Sequence, residues 1–216
     1  METIVRKVED FQVAGDGSNA AWRAAEWLPL GLLETGRSAY GTKVKLLYSG
    51  TGAYFLFDCQ DKRLTCTEMN DFDDIWNQDV VEVFLWPDEG RSLYFEYELS
   101  PLGVELPILV PNQEGTFMGW RPWHYEGERR IRRATAVRGG PKAPMAAIAG
   151  WSAEFFIPFA LLRGLGNVPP RPGTTWRANM YRIDYDGPQP AHWAWSPLGA
   201  VNFHRFHEFG TIVFEG

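Results

Sequence analysis

The stretch DDIWNQDVVEVFLWPD, residues 73 to 88, decides the fold. Its second half, 80–86, is dominated by β-branched and aromatic residues and follows an acid-rich, Trp-bearing segment that reads as a loop, so it predicts a strand. Alternation places Val81, Val83 and Leu85 on one face and Val80, Glu82, Phe84 and Trp86 on the other. Glu82 therefore shares a face with aromatics, and a carboxylate buried there without a partner would cost several kcal/mol.

Working outward, the same strand character recurs at 43–48, 53–59, 93–100, 132–137, 150–157, 175–183, 191–195 and 211–214, each bounded by Gly, Pro, Asn or Asp signals. Short strands at this spacing predict an all-β chain, a two-sheet antiparallel β-sandwich of the immunoglobulin or jelly-roll kind. Helical character is confined to one or two short helices, at 20–27 and at the turn 158–162, where Pro158 suits a helix start. Segments 105–127 and 163–174, rich in Pro and Gly, read as loops. With no internal repeat and no linker, residues 1–216 are expected to form one domain.

Composition narrows the function. A net charge of −6 and the lack of a Lys/Arg-clustered aromatic motif argue against nucleic acid as a partner. The locally basic run GERRIRR, 127–133, reads as a solvated strand edge. No apolar run approaches the roughly 20 residues that span a bilayer, which argues against a membrane partner. The N-terminus has no signal-peptide core, which predicts a chain that is cytoplasmic as it stands or exported with its signal removed. Cys59 and Cys66 match no disulfide framework or zinc spacing and read as free thiols. Aromatics at 15%, with 10 Trp, exceed the needs of a core and suit a stacking surface.

A second strand carries the argument further. In RSLYFEYELSPLG, 91–103, Tyr94, Glu96 and Glu98 fall on one face and Phe95, Tyr97 and Leu99 on the other. Pairing through the short PDEGR connection, 87–91, brings Glu82 onto the same face as Glu96 and Glu98. Such a face is either wet or supplied with donors, from Arg177, from Arg182 or from the hydroxyls of a ligand. Carboxylates among aromatics are a sugar-binding composition, because carboxylates accept from hydroxyl pairs and aromatic faces cover the C–H faces of a pyranose.

The blocks VAGDGSNAAWRAAEW (13–27), W-x-x-D-x-V-E-x-F (76–84), YFEYELSPLG (94–103) and F-H-x-x-x-x-F-G (203–210) together resemble a stand-alone family 9 carbohydrate-binding module, within the broader DOMON-like sandwiches. The resemblance runs in order over nearly the whole chain. It implies a two-sheet sandwich that binds carbohydrate, often at a chain end, between two loop aromatics. It also implies a module that accompanies glycoside hydrolases in polysaccharide catabolism and does not itself cleave sugars. On this sequence the first clamp aromatic matches Trp76 and the hydroxyl-binding carboxylate matches Glu82. The second clamp position falls on Phe203, where sugar-binding members carry Trp. Glu98 stands where those members carry a basic residue and Glu96 replaces an amide, so the site is more acidic than the family pattern. The resemblance also allows a structural calcium without placing its ligands here; the obvious acidic cluster, Asp71, Asp73, Asp74 and Asp79, reads either as such a site or as solvated loop carboxylates.

The expected site is thus Trp76, Glu82, Tyr94, Glu96, Glu98, Arg182 and Phe203, binding carbohydrate without catalysis and with no cofactor. Each residue has a plainer alternative. Trp76 and Phe203 are either clamp walls or packing, Glu82 binds ligand or pairs with Arg177 or Arg182, and Glu96 and Glu98 either bind or decorate a solvent face. Trp120 and Trp123, in GWRPWHYEG (119–127), offer either a second stacking platform or a loop folded over the sandwich, whereas Trp151, Trp176, Trp193 and Trp195 belong to the core. A diverged module without a sugar site would instead serve as a structural or partner-docking domain. Glycoside hydrolysis is permitted by the spacing of Glu96 and Glu98, about 7 Å, but such pairs are common on wet strands. Zinc at His204 and His207 lacks a third ligand in sequence, and haem would need Met69, Met118, Met145 or Met180 opposite a histidine that no motif selects.

Overall fold

The computed structural model describes residues 1–34, 40–114, 116–123 and 126–216. Within them the strands are β1 (Glu2–Lys7), β2 (Leu28–Pro29), β3 (Gly31–Leu32), β4 (Thr42–Tyr48), β5 (Gly52–Gln60), β6 (Val80–Trp86), β7 (Leu93–Leu99) and β8 (Glu105–Gln113). They continue with β9 (Thr116–Phe117), β10 (Arg121–Pro122), β11 (Arg132–Arg138), β12 (Gly150–Pro158), β13 (Thr175–Asp184), β14 (Ala191–Ala194) and β15 (Gly210–Phe214). A one-turn helix α1 (Phe159–Leu162) and short 3-10 turns complete the elements. None of these helices is long and apolar enough to cross a membrane.

The strands form an all-β sandwich. One sheet runs β10-β8-β7-β6-β13-β15-β1 and the other β1-β4-β5-β12-β11. β1 belongs to both: Glu2 to Val5 pair with β15 and Arg6 and Lys7 with β4, each time parallel, while the other named strand pairs are antiparallel. β1 carries no apolar alternation in the sequence, because its side chains are mostly exposed.

The core lies between the sheets, and alternation identified its contributors. Val81, Val83 and Leu85 of β6 and Phe95, Tyr97 and Leu99 of β7 meet Phe55 and Phe57 of β5 and Phe155 of β12. Phe55 and Phe155 stack with centroids 5.3 Å apart. Trp151, Trp176, Trp193 and Trp195 are buried here as expected, and Cys59 and Cys66 are buried free thiols.

Both outer faces are covered as well. Over the second sheet the N-terminal segment packs Phe11 and Trp22 against Tyr54, Leu56 and Phe156. That layer is pinned by Glu154 of β12, fully buried, which accepts from Gly15 N at 2.7 Å, Ala14 N at 3.0 Å, Gly17 N at 3.3 Å and Trp22 Nε1 at 2.8 Å. Over the first sheet a smaller apolar cluster joins Phe84, Tyr94, Ile108 and Tyr181 to Phe206 and Phe209.

Two readings change. Segment 105–127 is not a loop, because it holds β8, third from the centre of its sheet outward and paired with β7 through Tyr97↔Pro107 and Leu93↔Pro111. Its prolines fit because the carbonyls of Pro107 and Pro111 accept from Trp123 N and Met118 N. Their missing N–H groups therefore face that outer, sparsely paired side and not β7. The expected helix at 20–27 is only a 3-10 turn at Ala20–Ala24, capped by Asn19, whose side chain accepts from Ala21 N. The 158–162 turn is present as α1, and the basic run 127–133 leads into β11, the outermost strand of its sheet.

Candidate functional site

Strand register gathers the acids. Glu82 pairs with Glu98 and Phe84 with Glu96 across β6 and β7, and the rows extend to Tyr181 of β13 and to Leu106 and Ile108 of β8. Cross-strand neighbours on one face lie about 5 Å apart and next-but-one residues along a strand about 7 Å. The three carboxyl groups therefore form a triangle on the outer face of the first sheet. Of the two alternatives for this face, wet or supplied with donors, the wet one does not hold: Glu82, Glu96 and Glu98 are 2%, 4% and 1% exposed. Two chain segments distant in sequence roof the sheet over them.

The first roof segment precedes β6. Buried Asp79 accepts from Thr65 N at 2.6 Å and Tyr185 N at 2.8 Å, and Tyr185 donates its hydroxyl to the carbonyl of Trp76 at 2.9 Å. These bonds fix the Ile75–Asn77 turn with Ile75 buried beneath it and the Trp76 ring half-buried above. Trp120 meets Trp76 edge-on, centroids 5.7 Å apart. The second segment follows β14. Phe203 stacks on Tyr181 at 4.0 Å and 8°, and Tyr181 donates to the Phe203 carbonyl at 3.1 Å. His204 sits between Phe117, stacked at 4.4 Å, and the Tyr94 hydroxyl, 2.7 Å from its Nδ1.

Between these walls lies a cleft of about 370 Å³ whose lining includes Glu82, Glu96, Glu98, Trp76, Trp120 and Phe203. Of the expected residues the structure brings together Trp76, Glu82, Glu96, Glu98 and Phe203. Tyr94 stands behind the lining and supports His204. Arg182 is not there. It neighbours Tyr181, the partner of Glu82, so alternation turns it to the inner face. There it is fully buried, bonding Asp61 at 3.0 Å and Asp184 at 2.6 Å, with Thr42 Oγ1 and the Gln60 carbonyl at its other nitrogen. Arg177 shares the outer face but lies opposite Trp86, toward the far end of β6, and donates to the carbonyls of His207 and Phe209. Neither arginine pairs with Glu82.

The electrostatics follow from this. Burial first, and then Glu98, raise Glu82 well above the usual carboxylate range. Burial followed by Glu82 raises Glu96, and burial followed by Glu96 raises Glu98. Each of the three is thus held toward its neutral form by burial and by a neighbouring acid. Among the described residues, Glu96 Oε2 and Glu98 Oε2 accept no hydrogen bond. Burial lowers His204 to about 4, so its imidazole is neutral at pH 7.

The Trp-rich loop divides between its two readings. Trp120 joins the cleft, whereas Trp123 packs on the core and donates to the Leu161 carbonyl; His124 and Tyr125 lie outside the described residues. Sequence reasoning missed Phe117, Ile108 and Asn202 as lining, and weighed His204 only for zinc. The acidic cluster at 71–79 does not converge on a calcium site. Asp71 pairs with Arg133, Asp73 with Asn70, and Asp79 with two backbone amides. Converging carboxylates occur among the described residues at Asp61, Asp184 and Asp186. Arg182 bonds the first two and Arg63 and Thr65 take the third, so these residues do not fit a calcium ion.

Comparison with known proteins agrees with this architecture. The profile of carbohydrate-binding family 9 matches residues 21–214. No curated protein matches the chain. Among solved structures, a Bacteroides uniformis protein described as a candidate carbohydrate binder superposes with a TM-score of 0.80 at 20% identity, covering 99% of each chain. A family 9 module from Caldicellulosiruptor kristjanssonii in complex with cellotriose gives a TM-score of 0.67 at 16% identity, covering 100% of this chain and 94% of that one. The same organism's module in complex with glucose gives 0.66 at 16%, covering 99% and 96%. At these identities the likeness to the solved structures is one of fold.

Proposed function

Because the chain belongs to carbohydrate-binding family 9, we propose that it is a non-catalytic module holding a sugar in the cleft between Trp76 and Phe203, where Glu82, Glu96 and Glu98 take hydrogen bonds from sugar hydroxyls. One observation carries this reading: two buried carboxyl oxygens, on Glu96 and Glu98, accept nothing among the described residues, and both side chains line an aromatic-walled cleft. Leaving such groups unsatisfied is unfavourable, so the cleft favours a ligand that arrives with donors. The aromatic walls would cover the C–H faces of a pyranose ring and displace water from them. The cleft is at the small end of ligand sites, which run from about 300 to 1,000 Å³. A chain end or a short saccharide suits it better than the middle of a polymer.

Binding rather than hydrolysis is also favoured by geometry. A glycosidase places its two carboxyl groups on either side of the scissile bond. Glu82, Glu96 and Glu98 all rise from one sheet face and form a single floor. Calorimetric titration with glucose and cello-oligosaccharides, alongside an assay for released reducing ends, tests the reading. Saturable binding that Trp76→Ala removes, with no hydrolysis, is expected; reducing-end release that vanishes in Glu98→Gln would make the protein an enzyme.

A further inference from the structure

The cleft is one-sided in charge. It contains three carboxyl groups, and among the described residues no Lys or Arg lines it. Its imidazoles do not compensate. His192 Nδ1 lies 2.6 Å from Glu34, which also accepts from His192 N, so any charge on that ring is already matched. His204 Nδ1 lies 2.7 Å from the Tyr94 hydroxyl and 4.0 Å from Glu96 Oε2, but burial lowers this imidazole to about 4, so it brings no full charge to that carboxyl at pH 7. The next charge that acts on Glu98 is Asp74, a further acid.

The same chain shows how it treats other buried acids. Glu154 receives four donors, and Asp61 and Asp184 share a guanidinium. Glu96 Oε2 and Glu98 Oε2 receive none among the described residues, although Glu96 and Glu98 are only 4% and 1% exposed. Hydroxyls supply dipoles to such oxygens, but a cation supplies the missing charge. The walls point the same way, since Trp76, Trp120 and Phe203 present aromatic rings around the acids, and such rings attract cations.

We propose that the sugar taken by this cleft carries a protonated amine: an amino sugar, or an oligosaccharide of unacetylated amino sugars, whose ammonium sits against Glu82, Glu96 and Glu98 while Trp76 and Phe203 hold the ring. This rests on the sugar-binding reading of the same cleft and names its ligand class. The proton balance follows. Before binding, burial and the neighbouring acids hold the Glu98 carboxyl toward its protonated form. An arriving ammonium supplies the positive charge in the proton's place, so the carboxyl ionises and about one proton passes to solvent for each ammonium bound. A neutral sugar releases none.

The experiment is calorimetry of the full chain at about pH 6.5, where a sugar amine is largely protonated. The β-1,4-linked glucosamine disaccharide, its di-N-acetyl form and cellobiose are titrated in two buffers of different ionisation enthalpy. The amine is expected to bind about tenfold or more tightly than cellobiose, with proton release seen as buffer-dependent heat. In Glu98→Gln, which is nearly isosteric, the preference should fall toward unity. Cellobiose binding as tightly as the amine in the wild-type chain would overturn the inference and leave sugar binding standing. Absence of binding by all three saccharides would overturn both. Equal affinity for spermidine, an amine without a sugar ring, would also overturn it, because the ring would then contribute nothing. The wild-type comparison decides the matter even if a variant fails to fold.

Discussion

Glu82 and Glu98 stand directly opposite one another on β6 and β7, each almost completely removed from solvent. Like charges at facing positions oppose sheet pairing, so the folded chain is at ease only when protons remain between them. The folded-state pKa values are raised above those of the unfolded chain, hence the native state binds more protons in the window between the two. Stability is then full below the unfolded carboxylate value and declines as pH rises through the folded values. Asp61, raised by burial to about 7, and Asp79, raised by burial to about 8, add to the same trend. Denaturation followed from pH 5 to pH 9 should therefore show falling stability. Glu98→Gln should flatten the profile and raise Tm at pH 8 by roughly 2–4 °C, the response of a chain this size to about 1 kcal/mol. A profile that rises toward pH 8 would contradict it.

Trp76 lies on a turn held from its backbone, so its ring can be removed without disturbing the anchoring bonds. Trp76→Ala should weaken sugar binding tenfold or more and leave the unfolding midpoint within about 2 °C. Phe203→Ala should weaken binding too, but here Tyr181 loses a stacked neighbour, and stability should drop by roughly 1–3 kcal/mol. Urea titration separates the two cases.

Arg182 joins the two sheets by bonding Asp61, the Gln60 carbonyl and Thr42 from its place on β13. Arg182→Ala strands Asp61 and Asp184 as uncompensated buried acids and should destabilise by roughly 3–5 kcal/mol. Sugar affinity of whatever remains folded should match the parent, because the side chain points away from the cleft. A selective loss of affinity with stability intact would return Arg182 to the site.

His204 should stay neutral far below the usual imidazole range, its folded value having been lowered by burial to about 4. Nitrogen-15 shifts of the ring should report a neutral tautomer at pH 5.5, where an ordinary histidine is mostly protonated. Tyr94→Phe removes the hydroxyl partner of Nδ1 and should weaken sugar binding about fivefold, the effect of roughly 1 kcal/mol.

What could be read beforehand depended on whether a pattern was local. On β6 and β7 the apolar inner residues and the three outer glutamates alternate strictly, and both faces were assigned from period two alone. β13 resisted, since Arg177 and Arg182 fall on opposite faces of a strand with apolar residues on both, and nothing local says which one meets the acids. β8 was hidden by Pro107 and Pro111, whose acceptability depends on which side of the strand is sparsely paired. The dry state of the glutamates also has a distant cause. It is created by the Trp76 and Phe203 segments, more than a hundred residues apart, closing over one sheet.

The shared strand β1 has a consequence for how the molecule comes together. Glu2 to Val5 lie beside Thr211 to Phe214, so the seam between the two sheets joins the first strand of the chain to the last. Contacts of such long range close late, because the whole intervening loop must first be restrained. During synthesis β1 has no neighbour on that side until β15 leaves the ribosome. Sealing of the sandwich therefore waits for β15, and removing either β1 or β15 would leave an unpaired sheet edge open to association with another copy.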